Sequence, residues 1–430
     1  MRSPLPVFRH SRRAIALAAI PVLIGIASTS AGGAPAAAGT KAARAPHAAG
    51  WVTTWSGSAM SPTPLASSVQ SLNDQTVRDI VYTSAGGDAV RIRVTNAFGD
   101  APLTVRSATV ARQLRGAALD PATTHRLTFG GGPSVVVPKG GSVLSDLIRM
   151  PVPALSSLAI SLYAPGSVTQ ATYHQYSQTT NYLAGGDHAA DADGVAFTKN
   201  VSTWFLLDAV QVRSHARGTI VAIGDSITEV QQQRDDNSRW PNFLARSLAA
   251  RYGKNAPAVA NQGISGNRVL SPSACYGAAL VTRLDRDVFS QPGVRDAVLL
   301  EGINDLGFSQ EPDTGCFTPN TDVTPQDLID AYQRIAAAAH AHGVRILIGT
   351  LTPAEGYSYW SATAESKRQA VNAWIRGNHV YDGVIDFDAL LRYPGHPELL
   401  DPRYDSGDHL HPNAAGRQAM ADAVEPALTR

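Results

Sequence analysis

Cysteine is almost missing from this 430-residue chain, which has two, Cys275 and Cys316. No metal-ligand pattern of cysteines can be built from them. An excess of one charge is missing as well, since 36 lysines and arginines stand against 35 acidic residues. With no net field, and no basic groove interleaved with aromatics, nucleic acid and anionic membrane surfaces are not expected partners. There is no internal repeat, and beyond the N-terminal region no apolar run reaches the ~20 residues that span a bilayer. What remains is an ordinary globular composition, 44% hydrophobic and 17% charged. Its length exceeds one ordinary core and implies two domains.

Residues 1–50 read as a signal peptide and flexible leader. Arg2, Arg9, Arg12 and Arg13 precede an apolar run from Ala14 to Ala27, and small residues follow around Ala31 and Ala36 to Ala38. Charge, then an apolar stretch, then small residues is the order of an export signal. The run is too short for a bilayer span, so the mature protein is expected to be soluble and secreted, with no stable membrane anchor. Arg12-Arg13 also fits a twin-arginine signal, but paired arginines are common in ordinary signals and the general secretory route is the expectation. In an oxidising compartment an isolated pair such as Cys275 and Cys316 is expected to be bonded.

Residues 51–213 have period two. Thr76 to Tyr82 and Ala89 to Val94 alternate apolar and polar residues around Ser84-Ala85-Gly86-Gly87-Asp88, a hairpin signature. Short runs at Leu103 to Val110, Ser134 to Val137, Leu158 to Tyr163 and Trp204 to Val212, separated by Gly and Pro clusters, predict a β-sandwich of jelly-roll type. Trp51, Trp55, Tyr173, His174, Tyr176 and Trp204 could include a sugar-stacking platform, but no spacing places them on one surface, and packing is the expectation. His125, His174 and His188 receive no role.

From residue 218 to 430 strands alternate with helices. The apolar strands are Ile220 to Ile223, Ala258 to Ala260, Ala297 to Leu300, Ile346 to Gly349 and Val384 to Phe387. Helices are expected at Trp240 to Tyr252, Ala278 to Phe289, Leu328 to His342, Ala364 to Arg376 and onward from Pro412. Near-continuous apolar strands in βα units predict a parallel sheet covered on both faces. Such a sheet works at the carboxyl ends of its strands. There the chain places Gly224-Asp225-Ser226, then Asn261 to Asn267, then Gly302-Ile303-Asn304-Asp305, and last Asp408-His409-Leu410-His411-Pro412.

These turns contain what acyl transfer requires. Ser226 is a candidate nucleophile at a helix start, His411 a base, and Asp408 the carboxylate that orients the imidazole. Pro412 opening the last helix would set His411 at its N-terminus, where the dipole disfavours imidazolium. The oxyanion donors are the Ser226 and Gly266 backbone N–H groups and the Asn304 amide. Gly224-Asp225-Ser226-Ile227-Thr228, Gly266, Gly302 to Asp305 and Asp408 to Pro412 resemble, in order and spacing, the four blocks of the SGNH or GDSL hydrolases. The resemblance covers Gly218 to the C-terminus. It implies a flavodoxin-like α/β/α sandwich and metal-independent ester hydrolysis with no cofactor. The β-rich segment resembles, more loosely, the N-terminal domain of some secreted bacterial members.

Other readings of the same residues remain. Ser226, Gly266, Gly302 and Asn304 can each serve a turn alone. Asp401, Asp405, Asp408, His409 and His411 could form a metal site, but no matching ligand cluster appears elsewhere. His409 competes with His411 as base, though only His411 precedes proline. Leu306 to Val323 and Ser271 to Gly277 are loops carrying one cysteine each. Their expected disulfide would fix a wall of the acyl pocket. Glu301, on an otherwise apolar strand, has no assigned role. The expected activity is a serine esterase acting on short acyl groups of carbohydrates or small alcohols, with a lipase-type acylhydrolase and a non-catalytic binding module as alternatives.

Overall fold

The computed structural model describes residues 50–64, 71–230, 235–309, 311–312 and 315–429. The expected signal peptide lies outside the described residues. In the β-rich half the principal strands are β1 (Gly50–Ser56), β2 (Leu72–Tyr82), β3 (Ala89–Thr95), β4 (Ser107–Arg115), β5 (Ser142–Leu144), β6 (Ser157–Val168), β7 (Asn181–Gly185) and β8 (Leu207–Ser214). They pair antiparallel in two sheets, one ordered β1-β8-β3-β5 and the other running β7-β2-β6-β4 through its centre. Val52, Val90, Ile92 and Val210 from the first sheet share one buried cluster with Val77, Val81, Val110 and Ile160 from the second. The period-two pattern thus buries one face of each sheet against the other.

One expectation fails here: β2 and β3 are not a hairpin. They lie in different sheets, and the Gly-Gly connection between them crosses the sandwich. A Cβ on Gly86 would meet the Val152 carbonyl at 2.7 Å, and one on Gly87 the Arg213 carbonyl at 2.5 Å. Alternation shows that each strand has one buried face. It does not say whether two such faces lie side by side or opposite one another.

The second half is built on a parallel sheet of β9 (Thr219–Gly224), β10 (Ala258–Gly263), β11 (Val294–Leu300), β12 (Arg345–Gly349) and β13 (Gly383–Ile385), ordered β10-β9-β11-β12-β13. Its helices are α1 (Ser226–Glu229), α2 (Trp240–Tyr252), α3 (Leu280–Leu284), α4 (Ile303–Phe308), α5 (Pro325–Ala341), α6 (Ala362–Gly377), α7 (Phe387–Leu391) and α8 (Ala414–Thr429). α2 packs on α8 and α5 on α6. Right-handed crossovers on either side of β9 put those pairs on opposite faces. The stripe on α5, Leu328, Tyr332, Ile335 and Ala339, is buried, and burial of each large side chain contributes roughly 1.5–3 kcal/mol.

Register brings the turns together. Gly224 pairs with Gly263 on one side and Leu300 on the other, so β9, β10 and β11 end level and release their loops side by side. Three helical expectations change. The helix expected over Ala278 to Phe289 is α3 followed by a π-helical turn, Asp285–Phe289. The segment beginning at Leu306 is not yet loop, because α4 runs to Phe308. The last helix starts at Ala414 with Asn413 Oδ1 accepting from the Gly416 N–H at 3.0 Å, while Pro412 bridges Asp405. His411 therefore precedes α8 rather than opening it, and the expected dipole effect on its imidazolium does not apply. Its turn also does not follow β13 directly, since α7 and a hairpin, Arg392–Tyr393 with His396–Leu400, intervene.

Each half has its own apolar cluster, and polar bonds join the two. The Thr53 N–H donates to Thr219 Oγ1 at 3.0 Å, Thr53 Oγ1 to Gln291 Oε1 at 2.8 Å, and the Val259 N–H to Ser84 Oγ at 2.9 Å.

Candidate active site

The strand-to-helix turn at the end of β9 is held by Asp225, whose Oδ1 accepts from the Ile227 N–H at 2.9 Å. Gly224 is required there by crowding rather than by an unusual backbone angle, because a Cβ would sit 2.3 Å from Thr228 Oγ1 and 2.5 Å from the Leu300 carbonyl. Ser226, the first residue of α1, accordingly faces the strand ends. His411 Nε2 lies 2.7 Å from Ser226 Oγ, and His411 Nδ1 lies 2.6 Å from Asp408 Oδ2. A carboxylate can only accept, so Nδ1 carries hydrogen and Nε2 of the neutral ring accepts the serine O–H. Asp408 Oδ1 accepts from the His411 and Leu410 N–H groups at 2.9 and 3.1 Å. Burial pushes the Asp408 carboxyl up, but the bond and charge from His411 and these N–H groups outweigh it and hold it well below the usual carboxylate range. It is thus an anion fit to stabilise imidazolium.

His409 points elsewhere: its Nδ1 is 2.8 Å from Asp405 and its side chain is 53% exposed. Asp401 is taken by Arg403 at 2.6 Å. Among the described residues no group of three or more His, Cys, Asp or Glu is arranged to hold a metal ion.

The remaining predicted residues surround Ser226 Oγ. Ile264 to Asn267 form a turn closed by the Asn267 N–H on the Ile264 carbonyl at 3.0 Å. Gly266 takes φ +74° within it, under the Tyr276 ring, which a Cβ would approach to 2.3 Å. Among the described residues neither the Ser226 nor the Gly266 N–H is spent on an intramolecular bond. Asn304 Nδ2 donates one hydrogen to the Asn267 carbonyl at 3.0 Å and keeps its second. Together these groups can receive a tetrahedral oxyanion.

Cys275 and Cys316 are bonded, with Cα atoms 5.1 Å apart. The bond ties neighbouring rings: Tyr276 stacks on Phe308 and Phe317, Phe308 meets Tyr359 edge-on, and Tyr357 stands edge-on to His411 at 6.2 Å. An aromatic wall therefore runs from the Gly266 turn to the base.

Several supporting residues were not anticipated. Asp305 accepts from the Val269 and Leu270 N–H groups at 2.8 and 3.0 Å, fastening the loop after β10 to α4. Arg283, fully buried, donates to Asn267 Oδ1 at 3.0 Å, the Gln262 carbonyl at 2.8 Å and Asp287 at 3.0 Å. It also reaches Glu301 at 3.3 Å. Nothing in a local window distinguishes an arginine at such a position from a surface one.

Three buried carboxyls lie behind the turns. Burial pushes Asp225 up to about 7 against its bond from Ile227, Asp305 to about 6 against those from Val269 and Leu270, and Glu301 to about 8 against Arg283. Arg283 thus works against the burial of Glu301, and its closer carboxylate partner is Asp287 at 3.0 Å. Each of the three binds its proton more tightly in the folded than in the unfolded chain, where carboxyls ionise near pH 4. Between about pH 4 and pH 8 the folded state holds the extra protons, so stability falls as pH rises through that window. Urea unfolding is expected to give a higher midpoint at about pH 5 than at about pH 8, and the reverse order would contradict the assignment.

This arrangement of serine, imidazole, carboxylate and convergent N–H donors has the geometry of a serine hydrolase. Residues 222–419 match the model of the GDSL-like lipase/acylhydrolase family. Among solved structures, an acetylxylan esterase from Geobacillus stearothermophilus is 21% identical over 50% of this chain and 95% of that one, with a TM-score of 0.38. A GDSL-like lipase from Bacteroides thetaiotaomicron is 19% identical over 50% and 88%, with a TM-score of 0.36. No curated protein matches the chain.

Proposed function

We propose that this protein is a secreted serine esterase that cleaves carboxylic esters through an acyl-enzyme. The observation that carries the reading is the continuous relay Ser226 Oγ, His411, Asp408 at 2.7 and 2.6 Å. Ser226 Oγ attacks the ester carbonyl while His411 Nε2 takes its proton. Asp408 offsets the imidazolium charge, and the Ser226, Gly266 and Asn304 donors hold the oxyanion. Collapse passes the proton to the departing alcohol. Water then attacks the acyl group with its proton going to His411, the bond from Ser226 Oγ to the acyl carbon breaks as His411 returns that proton to Oγ, and the acid leaves.

Short acyl groups on a carbohydrate or small alcohol are the favoured substrates. The wall of Tyr276, Tyr357 and Tyr359 supports this, since such rings offer apolar faces with polar edges, as a sugar does. The strand orders support a jelly-roll sandwich followed by a flavodoxin-like three-layer sandwich. The disulfide fits export to an oxidising compartment. A fluorophosphonate is expected to label wild-type protein at Ser226, and 4-nitrophenyl acetate to turn over at least about tenfold faster than the decanoate, one decade being about 1.4 kcal/mol of barrier. The opposite chain-length order would replace this reading with a lipase-type one, and absence of labelling and turnover would leave a binding module.

A further inference from the structure

The β-rich half reaches the oxyanion turn through a ring of buried hydrogen bonds that starts and ends on Ser58. The Ser58 carbonyl accepts from His174 Nδ1 at 2.8 Å. His174 Nε2 meets Glu229 Oε1, and Glu229 Oε2 accepts the backbone N–H of Ser265, the residue before Gly266. On the other flank Asn267 Oδ1 accepts from Arg283 Nε at 3.0 Å, and Arg283 Nη1 donates to Asp287 Oδ2 at 3.0 Å. That same carboxylate oxygen accepts from Ser58 Oγ. Every member of the ring is buried.

The chemistry of the His174 flank is constrained. A carbonyl only accepts, so His174 Nδ1 carries hydrogen, and one proton lies between Nε2 and Glu229 Oε1. Wherever it rests, the pair is neutral as a whole and Oε2 remains an acceptor for Ser265. Arg239, the cation beside them, spends its guanidinium on the Glu229 and Ser177 carbonyls. A buried imidazole and carboxylate is a costly way to fill space, since apolar residues of similar volume often pack as well or better. What the pair supplies and an apolar filler lacks is direction.

We propose that His174 is a positioning residue of the oxyanion hole: acting through Glu229, it holds the turn at Ser265 so that the next N–H, that of Gly266, keeps its aim at the oxyanion. This rests on the esterase reading above. It makes the β-rich half part of the catalytic apparatus rather than an appended module.

The test compares His174→Ala, Glu229→Leu and Glu229→Gln in the full chain. The glutamine can accept from Ser265 and donate to the neutral His174 ring, which keeps the ring of bonds intact. Removing one oxyanion donor costs about 10²–10³ in kcat. Misaiming one costs less, so H174A and E229L are expected to lose about 10- to 100-fold in kcat on 4-nitrophenyl acetate, with KM within about threefold. E229Q should recover most of that loss. Hydrogen–deuterium exchange of peptides covering Ser265 to Asn267 should quicken in H174A and E229L, and not in the sheet. Should H174A fail to fold, His174→Gln, which keeps a donor toward Glu229, is expected to lose less in the same direction. Unchanged kcat and exchange in folded H174A, or E229Q as impaired as E229L, would overturn the proposal. If wild type and Ser226→Ala were equally inactive the esterase reading alone would fall, and the exchange result would still decide whether His174 holds the turn.

Discussion

Ser226→Ala is expected to lower kcat on 4-nitrophenyl acetate by on the order of 10⁴-fold or more while leaving the thermal midpoint within a degree or two. The size follows from the geometry. Ser226 Oγ is the group from which His411 can withdraw a proton, at 2.7 Å, and without it only the oxyanion donors and the binding wall remain. Stability should move little, because the backbone of this turn is held by Asp225 and by Gly224's close packing, and the hydroxyl gives up a single bond, the one to His411. Asp408→Asn should follow with a somewhat smaller loss. Its amide can present a hydrogen to Nδ1 and so favour the tautomer that has no lone pair facing Ser226. Turnover in S226A within tenfold of wild type would falsify the nucleophile assignment, whatever the ester.

The second large effect is on stability. Arg283→Met is expected to cost about 3–5 kcal/mol, the usual result of removing one partner from a buried ion pair. Asp287 shows why. Burial pushes its carboxyl up, but Arg286 and Arg283 more than offset this and hold it at about 2, so it stays charged in an interior that without Arg283 would compensate it poorly. Asn267 Oδ1 and the Gln262 carbonyl would lose donors in the same step. Combining R283M with Asp287→Asn should restore part of the loss by removing the stranded charge. A double variant no more stable than R283M would show that the cost lies in packing instead. Urea unfolding near pH 7 measures both.

Much of the architecture was legible because it repeats locally. The β-branched strands ending at Gly224, Leu300 and Gly349 and the stripe of α5 carry their periods within one window, so hydrophobic burial alone determines them. Local patterning failed where a choice lay between partners. β2 and β3 read as a hairpin, yet the two strands face each other across a core. α4 is too short to show a helical period. Pro412 had the composition of a helix start but was drawn into a bridge with Asp405, and the helix waits for Asn413.

At the site, the sequence by itself determined the candidate residue types and their order along the chain: Ser226 after a glycine, Gly266 in a polar turn, Asn304 after β11, and Asp408 three residues before His411. It did so because each sits at the end of an element whose period can be read, and because an imidazole and its carboxylate on one turn are held by local geometry. Only the tertiary structure decided that β9, β10 and β11 end level, that His411 rather than His409 reaches Ser226, and that burial raises the Glu301 carboxyl even beside Arg283. The same holds for Ser58 and His174, which the β-rich half sends to the oxyanion turn. Those outcomes depend on burial and on bonds between residues far apart in sequence. Desolvation sets the charge of a carboxyl only once the fold has removed its water, and no local window contains that.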